Sequence, residues 1–195
     1  MPTNEEITRH HDADPNENPW VNGPPPPEAV VIVPYDPQWP ARYEAFAAQI
    51  RAALGDAVLG IEHVGSTSVE GLAAKDVIDI DLTVPDPRDE DLYVPPLERL
   101  GYRLTIREPS FHQHRCFRLA EPRVNLHVFG PDCAETIRHR MFRDWLRTHD
   151  DDRALYQEAK QAAVPGGGTV MDYNGRKQQT IRDIYDRLFR AAGMR

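Results

Sequence analysis

The sequence lacks the features of secreted, membrane-spanning and general nucleic-acid-binding proteins. Its only two cysteines, Cys116 and Cys133, make neither a metal motif nor a disulfide framework, so we expect reduced thiols in a cytoplasmic protein. No apolar run approaches the roughly 18 residues of a transmembrane helix, and the N-terminus lacks the basic and apolar regions of a secretory signal. The net charge of −8 argues against long nucleic acids as partners, although a local basic pocket can still bind phosphates.

The composition is that of one globular domain preceded by a tail. The chain has 195 residues, of which 40% are hydrophobic and 28% charged, which is enough for a full core. Residues 1–28 are polar and proline-rich, and NGPPPPE at 22–28 predicts extended polyproline. We therefore expect a flexible tail over 1–28, with Trp20 as its candidate anchor, and a folded domain over 29–195.

The hydrophobic pattern predicts strands in the middle of the domain and helices at both ends. Helical spacing over 37–56 predicts an amphipathic helix, and VVIV at 30–33 predicts a strand or docking segment. We expect a helix closing at Gly101 and a loop over 165–175. Further strands are predicted at 57–64, 76–84, 102–108, 115–119 and 123–129, and further helices at 133–148, 151–163 and 176–191. This order indicates an α+β or α/β domain.

The segment DVIDIDLTV (76–84) places two carboxylates inside a strand that should be buried. Because side chains alternate along a strand, Asp79 and Asp81 share one face while Ile78, Ile80 and Leu82 share the other. Charged residues are rarely buried without a partner. Mg²⁺ is often held by one or two carboxylates together with substrate phosphates, so the pair predicts a metal site.

The turn GSTS, at 65–68, directly follows the preceding predicted strand. A glycine at this place lets backbone N–H groups approach an anion, and the Ser66 hydroxyl adds a donor. We therefore take Gly65 and Ser66, with the neighbouring Thr67 and Ser68, as candidate phosphate-binding residues. A phosphate at this turn would lie beside a metal at the aspartates, which suits phosphoryl or nucleotidyl transfer.

The block IEHVGSTSVEGLAAKDVIDIDLTV (61–84) resembles the GrpB family, also called UPF0157, within the nucleotidyltransferase superfamily related to DNA polymerase beta. The resemblance continues in YDPQWPARYEAF, NLHVF, FRDWLRTH and DYNGRKQQTI, and spans about residues 30–190. It implies a single α+β domain with a mixed β-sheet flanked by α-helices.

The resemblance also implies roles for the motif residues. Gly65 and Ser66 would hold nucleotide phosphates, and Asp79 and Asp81 would bind Mg²⁺ or, alternatively, Mn²⁺. The implied reaction transfers a nucleotidyl group from an NTP, by default ATP, to an unknown acceptor. That acceptor could be a small molecule, a protein hydroxyl or an RNA end.

One departure from the superfamily pattern concerns the third carboxylate, which usually lies on a neighbouring strand. The matching strand RVNLHVF offers Asn125, His127 and Phe129 instead. His127 could bind Mn²⁺, accept the substrate proton or hold a phosphate. Glu62, Glu108 and Asp132 are candidate substitutes for the missing acid, and the sequence selects none of them. The departure leaves open a non-catalytic nucleotide-binding or regulatory module.

Several cationic residues are candidate phosphate ligands. Lys75 precedes the Asp79 strand, and Lys177 begins the last predicted helix. The nearby Tyr173 could stack on a base or pack in the core. On the predicted helix 133–148, a charge cluster indicates a solvated face, with Arg143 either turned to the site or paired with an acid. That cluster comprises His139, Arg140, Arg143 and Arg147.

Two other activities have known sequence requirements. FHQHRCFRL places His112 near His114, so these residues with His127 and His63 could form a zinc or iron hydrolase site. A P-loop kinase would need GxxxxGK followed by Ser or Thr, and the sequence has no such match.

Overall fold

The computed structural model describes residues 1–12, 14–27, 29–164 and 169–195. Short 3₁₀ turns cover Gly55–Ala57 and Ser66–Ser68. In the described residues the helices are α1 (Asn4–Thr8), α2 (Trp39–Leu54), α3 (Glu90–Arg99), α4 (Ala134–Thr148), α5 (Asp150–Ala163) and α6 (Val170–Ala191). The strands are β1 (Gly60–Val64), β2 (Ile78–Thr83), β3 (Arg103–Glu108), β4 (His114–Leu119) and β5 (Val124–Phe129).

The five strands form one mixed sheet in the order β1-β2-β5-β4-β3. Strands β2 and β5 run parallel, whereas the other neighbouring pairs are antiparallel. A mixed sheet with flanking helices in a single α+β domain confirms the fold class expected from the sequence.

The sheet has one apolar and one polar face. Ile78, Ile80 and Leu82 of β2 are buried in the main core, together with Phe46 of α2 and Leu97 of α3. Burying each such side chain contributes about 1.5–3 kcal/mol to the free energy of folding. The intervening residues of β2 point to the opposite side, so the alternation that fills the core also places a row of polar groups on the other face.

Helices α4, α5 and α6 lie beside that polar face and have apolar clusters of their own. Leu146, Tyr156 and Ile184 belong to one of these, and Tyr185 and Phe189 to another. The last helix begins at residue 170 rather than at 176. Thr169 caps it, because its side chain accepts from the backbone N–H of Asp172 and the Asp172 carboxylate accepts in return. Residues 170–175 of the predicted loop are therefore helical, and 165–168 lie outside the described residues.

The N-terminal segment, which we expected to be flexible, makes specific contacts with the domain. Ile7 of α1 packs in the cluster of Tyr185 and Phe189, and Arg138 donates to the Ile7 carbonyl at 2.7 Å. Trp20 forms an isolated β-bridge with Ile106 on the edge strand β3. The unpaired edge of β3 and the apolar Ile7 side chain explain why this polar segment docks.

Smaller differences concern element ends. Strand β1 begins at residue 60 rather than 57, because Gly55–Ala57 continue α2 as a 3₁₀ turn. Residues 30–33 dock through a single bridge between Val33 and Ala74. Across the described ranges, no helix combines the length and apolar character that crossing a membrane requires. Both cysteines are buried and free.

Candidate functional site

A cleft of about 760 Å³ lies on the polar face of the sheet. The turn after β1, strands β2, β4 and β5, helices α5 and α6 and the N-terminal segment all contribute to its wall. Of the predicted catalytic and phosphate-binding residues, Ser68, Asp81 and Arg143 are not in its lining. Those that are in it are Gly65, Ser66, Thr67, Lys75, Asp79, His127 and Lys177, together with Glu108, Asn125, His139 and Tyr173.

Asp79 lies against the glycine turn. Asn125, its parallel partner on β5, donates from Nδ2 to Asp79 Oδ1 at 2.8 Å. A Cβ placed on Gly65 would overlap Asp79 Oδ2 and lie 2.9 Å from Asp79 Cβ. Burial raises the pKa of Asp79, while the Asn125 hydrogen bond and the charges of Lys75 and Lys177 partly oppose the rise. The carboxylate and the turn therefore meet only because residue 65 has no side chain.

Asp81 is neutralised by a histidine that the sequence did not single out for the site. Its side chain is 2% exposed, and its Oδ2 lies 2.8 Å from His139 Nδ1. His139 Nε2 lies 3.3 Å from Glu135 Oε1. Burial disfavours the charged imidazole, but Asp81 and Glu135 outweigh it and raise the pKa of His139 well above its usual value. Burial would raise the pKa of Glu135, yet His139 and Arg138 lower it to about 2.

The face of α4 that was predicted to be solvated packs on the sheet instead. Of that cluster, His139 and Arg143 are partly buried, whereas Arg140 and Arg147 are exposed. Arg143 Nη1 donates to Glu62 Oε2 and to the His63 carbonyl, both at 2.9 Å, so it pairs with an acid outside the cleft lining. Arg147 donates to the Ser68 carbonyl at 2.7 Å. The missed signal was the four-residue spacing from Glu135 through His139 and Arg143 to Arg147, which defines one helix face.

One oxygen of Asp81 remains unused. Asp81 Oδ1 is buried and has no hydrogen-bond partner among the described residues. Within those same ranges, no three His, Cys, Asp or Glu side chains converge as a ready-made metal site. A cation held here by Asp79 and Asp81 would complete its shell with ligand oxygens and water. The donor set therefore fits Mg²⁺, which keeps several waters and usually takes one or two carboxylates.

The hydroxyls of the GSTS turn divide into structural and cleft-facing groups. Ser68 Oγ donates to the Gly65 carbonyl at 2.6 Å, and Thr67 Oγ1 donates to the Val77 carbonyl at 3.2 Å. Ser66 Oγ instead lies 3.4 Å from the Tyr156 hydroxyl in the cleft wall. Ser66 is thus the turn hydroxyl available to a ligand, whereas Thr67 and Ser68 hold the turn.

Three lysines surround two tyrosines at the turn end of the cleft. Lys177 Nζ is 4.8 Å from the ring centroid of Tyr173 and 5.7 Å from that of Tyr156. Lys75 Nζ is 5.5 Å from the Tyr173 ring, and Lys160 Nζ is 4.7 Å from the Tyr156 ring. Tyr173 is 1% exposed, so it packs beneath the lysines.

Lys160 was missed at the sequence level. Its side chain is fully buried, donates to the Ala73 carbonyl, and has a pKa lowered to about 7 by burial and by Lys177. The only sequence signal was a lysine in the buried stripe of α5, in register with Tyr156 and Ala163.

At the other side of the cleft, two histidines and a glutamate form a hydrogen-bonded chain. His114 Nδ1 lies 2.6 Å from Glu108 Oε2, and His114 Nε2 lies 3.0 Å from His127 Nδ1. Burial, with His114 and His139 nearby, lowers the pKa of His127 well below its usual value. One tautomer arrangement that satisfies both contacts has His114 Nδ1–H donating to the Glu108 carboxylate and His114 Nε2 accepting from His127 Nδ1–H, which leaves a lone pair on His127 Nε2.

The four-histidine set of the metallohydrolase alternative is not assembled. His63 lies on the apolar face, where it stacks on Tyr43 at 4.8 Å. His112 contacts Phe111 and His11 rather than His127. The substitutes for a third carboxylate are also engaged: Glu62 with Arg143, Glu108 with His114, and Asp132 near the N-terminal amino group.

Known proteins share this fold and sequence. A model of the GrpB protein family matches residues 29–187. A UPF0157 protein of Halalkalibacterium halodurans is 43% identical over 160 residues, which are 82% of this chain and 82% of that protein. The crystal structure of conserved protein GrpB from Enterococcus faecalis has a TM-score of 0.72 and 28% identity, covering 83% of this chain and 99% of that one.

A longer relative carries an enzyme name. The dephospho-CoA kinase of Mycobacterium tuberculosis is 39% identical over an alignment of 188 positions, and the match covers 81% of this chain but only 46% of the kinase. This chain therefore corresponds to about half of that protein.

Replacing Gly65 by alanine should unfold the turn or displace Asp79. Gly65 has φ 68° and ψ −172°, a conformation that is nearly exclusive to glycine, and the new Cβ would also overlap Asp79. We expect Gly65→Ala to lower the free energy of unfolding by about 2–4 kcal/mol. Gly71→Ala is the matched control, because Gly71 also has a positive φ, +77°, but open space around it. Urea unfolding of both variants tests this; equal losses would contradict a specific overlap with Asp79.

Proposed function

Because this chain belongs to the GrpB family, we propose that it binds a nucleoside triphosphate with Mg²⁺ and transfers the nucleotidyl group to an acceptor hydroxyl. The observation that carries the proposal is the approach of Asp79 to the Gly65–Ser66 turn, in a cleft that three lysines share. A carboxylate and a phosphate repel each other, so a phosphate bound at this turn would need a cation between it and Asp79.

The charges of the cleft support a polyphosphate at the lysine end. Lys75, Lys160 and Lys177 gather around the turn, each with its ammonium group near the ring of Tyr156 or Tyr173. The Ser66 hydroxyl adds a neutral donor. Cations and donors in a partly enclosed site bind phosphate more strongly than they would in open water.

Asp79 and Asp81 are the residues that would hold the metal. When bound, Mg²⁺ would neutralise the charge that builds on the phosphate oxygens during transfer; Mn²⁺ is the alternative, since His127 lies opposite Asp81 in the β2–β5 register. His139 already pairs with Asp81 Oδ2, so Asp81 Oδ1 is the oxygen left for a ligand.

His127 is the candidate general base. In the proposed step, the acceptor oxygen bonds to the α-phosphorus, the bond from that phosphorus to the β-bridging oxygen breaks, and pyrophosphate leaves. The acceptor proton goes to Nε2 of His127, whose ring is held by the chain through His114 to Glu108. A positioned base of this kind contributes about 10²–10⁴ in rate.

The second candidate function is a non-catalytic nucleotide-binding module. Asn125 and His127, which carry no negative charge, stand opposite Asp79 and Asp81 on the neighbouring parallel strand. Such a module would keep the metal–phosphate pocket without the third carboxylate of a two-metal mechanism. The kinase activity named for the longer relatives is not proposed here, because this chain has no P-loop sequence.

Nucleotide binding should depend on Mg²⁺ and on the two aspartates. We expect calorimetric titration with non-hydrolysable NTP analogues to show binding that weakens at least tenfold without Mg²⁺. Asp79→Asn and Asp81→Asn should each weaken it similarly, because each removes a negative ligand. Glu62→Gln is the control, since Glu62 lies opposite Asp81 but binds Arg143. Equal affinity with and without Mg²⁺, or an equal loss in Glu62→Gln, would contradict the metal role.

Loss of His127 should reduce the rate of nucleotidyl transfer far more than it reduces the affinity for the NTP. We expect His127→Gln to reduce pyrophosphate release by about 10²–10⁴, measured with small hydroxyl compounds, protein and RNA ends as acceptors, while NTP affinity changes less than about threefold. Wild-type protein that binds an NTP tightly but releases no pyrophosphate with any acceptor class would instead support the binding module.

Phosphate affinity should fall as the pH rises above about 7. Lys160 has a pKa near 7 in the free protein, so it is charged below that pH and must take up a proton on anion binding above it. We expect affinity to drop by up to about tenfold per pH unit above 7. In Lys160→Gln the affinity should no longer depend on pH in this range. In Lys177→Gln the affinity should be weaker but should still fall as the pH rises. Titration at pH 6.5 and 8.5 measures this; a slope retained in Lys160→Gln would rule out the role of Lys160.

A further inference from the structure

Trp20 differs from the other two tryptophans of the chain. Trp39 donates its indole N–H to Asp76 at 2.7 Å, and Trp145 donates to Asp152 at 2.7 Å. Both also contact an aromatic ring, Tyr35 and His149 respectively. Trp20 has neither a ring contact nor an indole hydrogen bond among the described residues, and it is half-buried in the cleft wall. A large aromatic surface therefore faces the cleft unused.

The backbone of this segment is fixed even though its ring is unoccupied. Val21 N–H donates to the Thr105 carbonyl at 3.0 Å, and Arg107 N–H donates to the Pro19 carbonyl at 2.9 Å. These bonds place Trp20 opposite Ile106 on the edge strand β3. The backbone at Trp20 is therefore held in position before any ligand arrives, which lowers the entropic cost of binding.

Cross-strand register aligns Trp20 with the metal-binding row. Ile106 pairs with Cys116, Cys116 with His127, and His127 with Asp81. Adjacent strands are about 4.8 Å apart, so the backbone of Trp20 lies about 19 Å from that of Asp81 across the sheet. An extended nucleoside triphosphate has a comparable length, so phosphates at the turn would direct the base towards Trp20.

An arginine that lines the cleft lies between these two ends. Arg118 lines the cleft, and its Nε is buried without a partner among the described residues. It pairs in register with Asn125, which pairs with Asp79, so Arg118 is two strands from the metal-binding aspartate. Arg118 can therefore donate to acceptor atoms of a ligand that extends from Asp79 towards Trp20.

We propose that Trp20 and Arg118 form the recognition site for the nucleobase half of the ligand, with the base stacked on the Trp20 indole and Arg118 donating to its acceptor atoms. This inference rests on the proposed function for the identity of the ligand. Stacking on an aromatic side chain is worth roughly 5- to 100-fold in affinity per base. The family match begins at residue 29, so the stacking group comes from outside the matched region.

Comparison of nucleotides with inorganic tripolyphosphate tests the proposal, because tripolyphosphate has the phosphates but no base. Binding of ATP, GTP, CTP and UTP and of tripolyphosphate, all with Mg²⁺, is measured by calorimetry on the full chain. We expect Trp20→Ala to weaken the affinity for the best nucleotide roughly 5- to 100-fold. Its affinity for tripolyphosphate should fall less than about twofold. Trp20→Phe, which keeps a stacking ring, should retain most of the affinity. Arg118→Gln should also weaken the affinity for the nucleotide more than the affinity for tripolyphosphate.

Fluorescence provides a second readout. The best nucleotide should quench the tryptophan emission of the wild type, tripolyphosphate should not, and the quenching should be lost in Trp20→Phe. Unfolding of each variant in urea checks that the fold is retained.

Each remaining outcome counts against the inference in a distinguishable way. Equal loss of nucleotide and tripolyphosphate affinity in Trp20→Ala, or no loss of either, would overturn it and leave Trp20 a packing residue. Wild-type protein that binds tripolyphosphate as tightly as every nucleotide would overturn base recognition and leave the phosphate site standing. Wild-type protein that binds neither would overturn the proposed function and this inference with it.

Discussion

The ion pair between Asp81 and His139 is the interaction on which the cleft depends. Asp81 lies inside the sheet, and an isolated carboxylate there would be strongly disfavoured by desolvation. His139 supplies the opposite charge from α4, and Glu135 on the same helix face stabilises that charge. Removing one partner of a buried ion pair typically costs about 3–5 kcal/mol. The requirement to neutralise Asp81 therefore fixes the position of α4 on the polar face. From that position Arg143 donates to a carbonyl of β1, and Arg147 donates to a carbonyl of the GSTS turn.

The cleft that results is electrically divided. Lysines gather where β1 turns towards β2, and the hydrogen-bonded pair His114 and His127 lies along β4 and β5. Asp79 stands between these regions, where it accepts from Asn125 and lies near Lys75 and Lys177. This arrangement would orient an elongated ligand with one anionic end, and it places the candidate base, His127, away from the lysines that would hold the anion.

The sequence predicted the elements whose pattern is local. Strand alternation alone put Asp79 and Asp81 on one face, and the position of Gly65 after a strand indicated the turn that approaches them. The sequence could not show that the cationic face of α4 meets the sheet, because a charged helix face is normally solvated unless a buried acid lies opposite it. Lys160 was missed for a related reason: its burial depends on Ala73 and Tyr156, which the fold alone brings near it. The docking of Trp20 depends on an edge strand that no local pattern identifies as an edge.

Because the N-terminal segment is attached to β3, the cleft receives Trp20 from a different part of the chain than its residues suited to phosphate and metal. The residues suited to phosphate and metal are built into the central strands, where a change disturbs the core that those strands bury on their other face. Trp20 reaches the same cleft from a segment that joins the sheet edge through backbone hydrogen bonds, which most side chains permit. If Trp20 contacts the ligand as proposed, substitutions in that segment would change which ligand fits while the central strands keep their residues. Ligand preference in this protein would then be separable from the stability of the sheet.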